Sequence, residues 1–202
     1  MVRKGRNFMS QHLEIEFKNL LTKDEYHRLL QHFNIEEQQI QLQENHYFDT
    51  PDFHLKKAYS GLRIRVLPNK IECTLKERSS QHGHLETTDN ITADLAAEMI
   101  RGTTFSAPSV EQRLFALQIP IEQLELFGSL KTKRVEIDYQ GGTLVFDHSF
   151  YLQCEDYEVE YETKDEKIGN SIFESLLIEL GIEKRPTPKK IARFVEALTK
   201  QK

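Results

Sequence analysis

The sequence predicts an α+β fold built on about eight antiparallel strands, and two patterns in its 202 residues support this prediction. Several short segments alternate apolar and polar residues with a period of two, which is typical of strands with one buried face. The first is HLEIEFK at residues 12–18, with three apolar side chains on one face and three charged ones on the other. Segments with helical spacing and capping residues lie between the strands and at the C-terminal end.

The first half of the chain contains most of the predicted turns and strands. After the opening strand, Thr22 and Glu25 form a capping box that predicts a helix over 23–33. The next predicted elements are a strand within 44–51, a hairpin over 61–78 that turns at Pro68-Asn69-Lys70, and a short strand at 84–89.

The second half begins with two predicted helices and returns to strands. Thr92 and Ser109 are the expected N-caps, and Gly102 and Gly128 are the expected stops. The remaining elements are strands at 130–139, 143–149 and 156–163, followed by helices at 167–182 and 189–199. We expect one domain over residues 10–202, preceded by an extended leader at residues 1–9.

Composition excludes several classes of protein. The net charge of −5 argues against a nucleic-acid backbone as the main partner. No apolar run approaches the roughly 20 residues that a membrane-spanning helix needs. Cys73 and Cys154 form neither a metal-binding spacing nor a disulfide framework. Without a visible secretory signal, the expected location is the cytoplasm. The oligomeric state is left open.

The polar faces of the strands are charged, and the charges are sorted by strand. Arg63 and Arg65 share one strand face, whereas Glu158, Glu160 and Glu162 share another. Such faces are usually solvated, as in an open sheet with helices on one side only. A solvated face, however, normally mixes opposite charges along each strand. The sorting therefore favours a barrel with helices outside and the charged faces inside.

A lumen lined with charges needs matching ligands, because unpaired buried charges are costly. Clustered carboxylates suit a hard divalent cation such as Mg²⁺ or Mn²⁺. Rows of arginine and lysine suit a polyanion, since a guanidinium binds phosphate oxygens in a fork. A polyphosphate bridged to a metal satisfies both sets of charges.

At this point the sequence resembles the CYTH domain, or triphosphate tunnel metalloenzyme, family. The family signature begins with Glu-x-Glu-x-Lys, present here as Glu14, Glu16 and Lys18. The other motifs follow in the family's order. The first two are an Arg-x-Arg at Arg63 and Arg65 and a Thr-x-Lys at Thr74 and Lys76. They are followed by a basic strand at Arg134, an acidic strand at Asp147, and a Glu-x-Glu at Glu158 and Glu160. The resemblance covers residues 12 to about 162.

The resemblance implies an eight-stranded antiparallel tunnel that hydrolyses a small-molecule triphosphate with Mg²⁺ or Mn²⁺. The residues expected to bind the triphosphate and take part in catalysis are Lys18, Arg63, Arg65, Lys76 and Arg134. The expected metal ligands are Glu14, Glu16, Asp147, Glu158, Glu160 and Glu162. Two alternatives stay open, namely a non-catalytic sensor of polyphosphate or a nucleotide polyphosphate, and an adenylyl cyclase.

Two further features bear on the tunnel. The family often has a lysine where this chain has Thr132, so one lumen cation is expected to be missing. The run EKRPTPKK at residues 183–190 contains the cations Lys184, Arg185, Lys189 and Lys190. It is either a solvated helix start or a segment that closes one tunnel mouth, because cations at a helix N-terminus oppose the helix dipole.

Overall fold

The computed structural model describes residues 10–200, so the predicted leader at residues 1–9 lies outside the described part. The strands are β1 (Ser10–Leu21), β2 (Gln41–Asp49), β3 (Ser60–Val66), β4 (Ile71–Arg78), β5 (Gly83–Ile91), β6 (Glu125–Tyr139), β7 (Gly142–Tyr151) and β8 (Cys154–Thr163). The helices are α1 (Lys23–His32), α2 (His54–Lys57), α3 (Ala93–Ile100), α4 (Pro108–Ala116), α5 (Glu166–Glu179) and α6 (Lys190–Lys200). Short 3₁₀ turns lie at Glu37–Gln39 and Ile121–Gln123.

All eight strands form one closed barrel. The order around the barrel is β1-β5-β4-β3-β2-β6-β7-β8, and β8 pairs again with β1. Every neighbouring pair is antiparallel, and Lys18 of β1 lies opposite Glu160 of β8 at the closing seam. Closure leaves no unpaired edge in the sheet that residues 10–163 form. The predicted eight-stranded antiparallel barrel is confirmed.

The apolar faces of the strands point outward and lie beneath helices. Helices α1 and α5 cover β1, β7 and β8, where Phe17, Phe146 and Tyr161 are buried. Helices α3 and α4 cover β3, β4 and β5, where Leu62 and Leu75 are buried. Burying apolar area stabilises the fold by about 25 cal/mol per Å². Because the helices shield this outer face, the charged faces line the interior of the barrel.

The local signals for helix α1 and for the β3–β4 turn are confirmed. Thr22 Oγ1 accepts the backbone N–H of Glu25 at 3.2 Å, and a Glu25 carboxylate oxygen accepts the N–H of Thr22 at 2.7 Å. This is the predicted capping box. The β3–β4 turn closes with the Leu67 N–H donating to the carbonyl of Lys70. Gly141 takes a φ of 81° in the β6–β7 turn, a conformation that favours glycine.

The second middle helix was predicted wrongly at both ends. Helix α4 begins at Pro108, so Ser109 lies inside it instead of capping it. The carboxylate of Asp89 caps the helix from β5 by accepting the N–H groups of Ser109 and Val110 at 2.8 and 2.9 Å. The helix ends at Ala116, and Gly128 lies within β6. The cap comes from a residue distant in sequence, so local spacing misplaced it.

Within residues 10–200, no helix combines the length and the apolar character needed to cross a membrane.

Candidate active site

Charged and polar side chains from each of the eight strands converge inside the barrel. Alternation along each strand turns the outward residues toward the helices and the intervening residues toward the lumen. The lumen wall contains every residue that the sequence analysis proposed for binding or catalysis: Glu14, Glu16, Lys18, Arg63, Arg65, Lys76, Arg134, Asp147, Glu158, Glu160 and Glu162.

Lys76 is the centre of one ion-pair group, between β1, β4 and β5. Its ammonium contacts Glu14 and lies 3.3 Å from carboxylate oxygens of both Glu16 and Glu86. Burial alone would raise the pKa of Glu86, but Arg63 and Lys76 outweigh burial and lower it to about 2. Glu86 is therefore ionised and serves as a structural counter-ion for the lumen cations.

Lys18 connects this group to β8. Its ammonium lies 3.1 Å from Glu16 and 3.3 Å from Glu160. Burial opposes its charge, but Glu160 and Glu16 raise the pKa of Lys18 above its ordinary value. Lys18 is thus a buried cation held between carboxylates of two strands.

Three carboxylates form a compact cluster on the opposite wall. Asp147, Glu158 and Glu160 are buried, and each offers an oxygen within 4.8 Å of the others. Arg134 forks onto Asp147 at 2.6 and 2.8 Å and reaches Glu160 at 3.0 Å. Glu14, Glu16 and Glu162, which were also expected to bind metal, lie outside this cluster.

A cation already lies within the three-carboxylate cluster. The ammonium of Lys190, the first residue of α6, is 2.8 Å from Asp147 and 3.1 Å from Glu160, and it also contacts Glu158. It therefore stands in for a cation ligated by three buried oxygens. Carboxylate oxygens are the ligands that Mg²⁺ and Mn²⁺ prefer, so the cluster fits a hard divalent ion.

Two acids of the cluster differ in their affinity for protons. Burial raises the pKa of Glu158 to about 7, despite the opposing effect of Lys190. Burial has the same tendency at Glu160, but Lys190 and Lys18 outweigh it and hold the pKa well below its ordinary value. At neutral pH Glu160 is therefore ionised, whereas Glu158 is only partly ionised.

Arg63 and Arg65 of β3 face the lumen with no carboxylate of the described residues at ion-pair distance. Burial would lower the pKa of Arg63, but Glu86 lies near enough to outweigh burial and raise it. Among residues 10–200, neither makes an ion pair with an acid, and Arg65 donates from Nε to the Asn45 side-chain oxygen at 3.0 Å. Burial, together with the neighbouring Arg63 and Arg134, lowers the pKa of Arg65 to about 10. These cations repel one another, so an anion between them would relieve the repulsion.

The two ends of the tunnel differ. At one end, α6 places Phe194 against Leu130 and Tyr151, and the Arg193 guanidinium binds Asp156 and Glu158 at 2.5 to 2.9 Å. The other end has a cavity of approximately 520 Å³ lined by the start of β1, the β6–β7 turn and the end of β8. Glu162 lines this cavity, and burial together with Glu14 raises its pKa to about 8.

The cations of residues 183–190 were expected either to be solvated or to close one tunnel mouth, and the structure shows both situations. Lys184 pairs with Glu174 and Arg185 pairs with Glu25, both outside the barrel. Lys190 instead enters the lumen. The sequence analysis did not single out Arg193, although its position three residues after Lys190, on the same helix face, was a usable signal.

Three other lumen positions complete the wall. Thr132 is fully buried, and its hydroxyl is 3.2 Å from that of Ser149, so a neutral side chain does take the expected place of a lysine. Glu136 reaches Arg134 only at 3.5 Å and is largely exposed. His84 was missed: it is buried, and its Nδ1 lies 3.7 Å from Glu16 and has no hydrogen-bond partner within residues 10–200.

Comparisons with known proteins agree with this arrangement. Residues 12–195 match the model of the CYTH domain family. The chain is 43% identical over 192 residues to the Bacillus subtilis (strain 168) protein named "Putative triphosphatase YjbK", covering 93% of this chain and 97% of that protein.

Two solved structures have the same fold. A candidate adenylate cyclase from Bacillus halodurans superposes with a TM-score of 0.88 at 40% identity, covering 92% of this chain and 99% of that one. A candidate adenylyl cyclase from Hippeastrum, described as having a dominant triphosphatase activity, superposes with a TM-score of 0.77 at 22% identity, covering 92% and 95%. The order of charged strands, the closed barrel and the family match lead to one conclusion: the chain belongs to the CYTH domain family.

Proposed function

We propose that the protein is a divalent-metal-dependent triphosphatase that hydrolyses the terminal phosphoanhydride of a small-molecule triphosphate. One observation carries the proposal: unpaired Arg63 and Arg65 and a cation-holding carboxylate cluster face the same lumen. A polyanion bridged to a divalent cation complements both walls at once. The curated relative named as a triphosphatase supports the same activity.

The lumen cations are assigned to the phosphates. Among residues 10–200, no carboxylate lies within ion-pair distance of Arg63 or Arg65, so they bind phosphate without first breaking a direct ion pair. Lys18, Lys76 and Arg134 are held in place by acids. Positioned cations of this kind stabilise the charge that spreads over a transferring phosphoryl group.

The carboxylates are assigned to the metal and to the support of the cations. Asp147, Glu158 and Glu160 would hold Mg²⁺ or Mn²⁺, which would polarise the phosphoryl group and favour attack by water. Glu14 and Glu16 are assigned to orienting Lys76 and Lys18, which they contact. The cavity at the β6–β7 end is the proposed entrance, because α6 fills the other end.

A second candidate function is the cyclisation of ATP. The Bacillus halodurans structure, which is described as a candidate adenylate cyclase, is 40% identical to this chain. Cyclisation uses the same binding of triphosphate and metal, but the attacking group belongs to the substrate. The products separate the two reactions, because a cyclase releases pyrophosphate and a triphosphatase releases orthophosphate.

The test is a product assay with inorganic triphosphate, thiamine triphosphate, ATP and GTP, each with Mg²⁺ and with Mn²⁺. We expect orthophosphate from at least one substrate and none when EDTA replaces the metal. Pyrophosphate with cyclic AMP from ATP would identify a cyclase. Binding without any turnover would identify a polyphosphate sensor instead.

Variants of the cluster test the metal assignment. Glu158→Gln and Glu160→Gln should lower kcat by at least about a hundredfold at limiting Mn²⁺, because each removes a charged ligand. Glu136→Gln is the matched control, since this lumen-edge acid is 54% exposed and lies outside the cluster. Wild-type rates from both cluster variants would refute the assignment.

The cytoplasmic location and the lack of a nucleic-acid partner stay predictions from composition.

A further inference from the structure

Lys190 has an unusual position for a residue that begins a helix. Its ammonium touches all three carboxylates of the cluster formed by Asp147, Glu158 and Glu160, and its side chain is only 13% exposed. A cation at a helix N-terminus opposes the helix dipole, so this placement requires compensation. The three carboxylates supply it.

The cluster is already neutralised by the chain itself. Arg134 contacts Asp147 and Glu160, and Arg193 contacts Glu158. Lys190 adds a further positive charge at the point where oxygens of all three acids converge. A divalent ion ligated by the same oxygens would lie close to the ammonium, and two cations at that distance repel strongly where water is scarce. The two cannot share the cluster.

The side chain of Lys190 can leave without unfolding the helix. Lysine has a flexible four-carbon stem, so the ammonium can swing away while the backbone keeps its place. The rest of α6 is held independently by Arg193 on Asp156 and by Phe194 against Leu130 and Tyr151. Displacement of one side chain is therefore sufficient.

We infer that Lys190 is the counter-cation of the carboxylate cluster in the metal-free protein and competes directly with the divalent metal for it. The inference rests on the metal assignment of the proposed function. It assigns Lys190 a role in setting the metal concentration at which the site fills.

The experiment measures Mn²⁺ binding to the full chain in the absence of any phosphate compound. Binding is followed by titration calorimetry and by the loss of the electron paramagnetic resonance signal of free Mn²⁺. Lys190→Met should bind Mn²⁺ about tenfold more tightly than the wild type. A tenfold gain in affinity is expected if Lys190 occupies the cluster in about nine of ten metal-free molecules, because only the remaining tenth can bind the metal directly. The matched control is Lys189→Met, which removes the same charge one residue away, and it should change the affinity less than about twofold.

Lys189 is a suitable control because its surroundings differ. The charged groups around it are Lys76, Glu16, Lys18 and Arg78, and none of them belongs to the three-carboxylate cluster. An equal gain from both variants would show general charge repulsion and overturn the inference. An unchanged or weaker affinity in Lys190→Met would overturn it as well.

A measurement of thermal stability shows whether a change in Mn²⁺ affinity comes from the loss of Lys190 or from a folding defect of the variant. In EDTA, Lys190→Met should melt below the wild type, because it leaves a carboxylate cluster short of one cation, and saturating Mn²⁺ should raise its Tm more than that of the wild type. Lys190→Gln should behave in the same way. If both variants are destabilised and Mn²⁺ rescues neither, the competition is refuted.

The outcomes also separate this inference from the proposed function. Equal Mn²⁺ affinities with metal-dependent phosphate release would refute only the role of Lys190. Absence of Mn²⁺ binding in both wild type and Lys190→Met, together with absence of phosphate release, would refute the proposed function and the inference together.

Discussion

Arginines of the same lumen occupy two opposite electrostatic situations. Arg134 is compensated, since it forks onto Asp147 and reaches Glu160. Arg65 is uncompensated, and burial with its cationic neighbours lowers its pKa to about 10. Arg134 is part of a buried ion-pair network, whereas Arg65 is a buried cation that is free to bind an anionic ligand. The two should respond differently to the same substitution.

We expect Arg65→Gln and Arg134→Gln to change ligand-free stability by very different amounts. Removing Arg134 leaves the buried carboxylates of Asp147 and Glu160 short of one cation, with only lysine contacts remaining among residues 10–200, and should cost about 3–5 kcal/mol of unfolding free energy. Removing Arg65 relieves repulsion between cations and should change stability by less than about 1 kcal/mol. Urea denaturation of both variants without phosphate measures the difference.

The same variants should both bind inorganic triphosphate at least about tenfold more weakly, because each removes a lumen cation. A large loss of ligand-free stability in Arg65→Gln would show that Arg65 has a structural partner after all. Unchanged triphosphate binding in that variant would remove β3 from the phosphate site.

At the scale of elements, the segment before α6, residues 183–189, crosses the end of β1 as a strap that is hydrogen-bonded to that strand. Asn19 is fully buried, donates to the carbonyl of Glu183 and accepts the N–H of Arg185. The hydroxyl of Thr187 accepts the N–H of Leu20 at 2.7 Å. These bonds satisfy backbone groups of a proline-containing segment that has no regular structure of its own.

Arg185 joins this strap to the capping box of α1, which gives stability a pH dependence. Burial opposes ionisation of Glu25, but the bonds from Arg185 and from Thr22 lower its pKa below the ordinary value. A lowered carboxylate pKa stabilises the fold above the unfolded pKa and loses this effect as the pH falls through the folded value. We expect Glu25→Gln to cost about 1–3 kcal/mol at pH 7.

The cost of Glu25→Gln should shrink as the pH falls below about 4.3, the ordinary pKa of a glutamate. Denaturation curves at a series of pH values from 7 downward measure this difference. Glu174→Gln is the matched control, since the Glu174–Lys184 pair lies on the exposed surface, and its effect should be small at every pH. A pH-independent cost at Glu25 would contradict the assignment.

Gly128 shows how β6 accommodates α6. A methyl group at this position would collide with the ring of Phe194. Gly128→Ala should therefore lower stability by about 1–3 kcal/mol through overpacking and disturb the docking of α6. Gly61→Ala is the matched control, because a methyl group there meets no atom within 4 Å. Thermal melts of both variants measure the effect, and equal decreases in Tm for the two variants would contradict the prediction.

At the scale of the whole molecule, barrel closure concentrates like charges that the unfolded chain keeps apart. Triphosphate should relieve the repulsion between Arg63 and Arg65, Mg²⁺ should replace the ammonium of Lys190 at the carboxylate cluster, and the unfolded chain cannot bind the pair in this geometry. A free ligand concentration near 100 times Kd gives about 2.7 kcal/mol of stabilisation. For a chain of this size, that shifts Tm by roughly 5–10 °C.

Orthophosphate is the control for this shift. It is too short to contact both β3 and the basic residues on the other walls, so at equal ionic strength it should raise Tm far less. A melting scan that finds equal shifts for the two anions would show that the lumen does not bind a triphosphate as a unit.

Much of the fold could be predicted from the alternation along single strands. Leu62 and Ile64 against Arg63 and Arg65 already separate an apolar face from a charged one, because successive side chains point to opposite faces. The order of charged motifs along the chain was sufficient to suggest the tunnel and its candidate residues. Thr22 and Glu25 located the start of α1, since a capping box depends only on residues three apart.

The sequence by itself therefore determined which strand residues share a face and the sign of each charge, because both depend on local geometry. Only the tertiary structure decided which charges meet. It paired Lys76 with Glu14 and Glu16, left Arg63 and Arg65 without a direct ion pair among the described residues, and brought Lys190 from the C-terminal helix onto β7 and β8. Those contacts join residues up to 62 positions apart, and their strength depends on distances and burial that exist only once the barrel has closed.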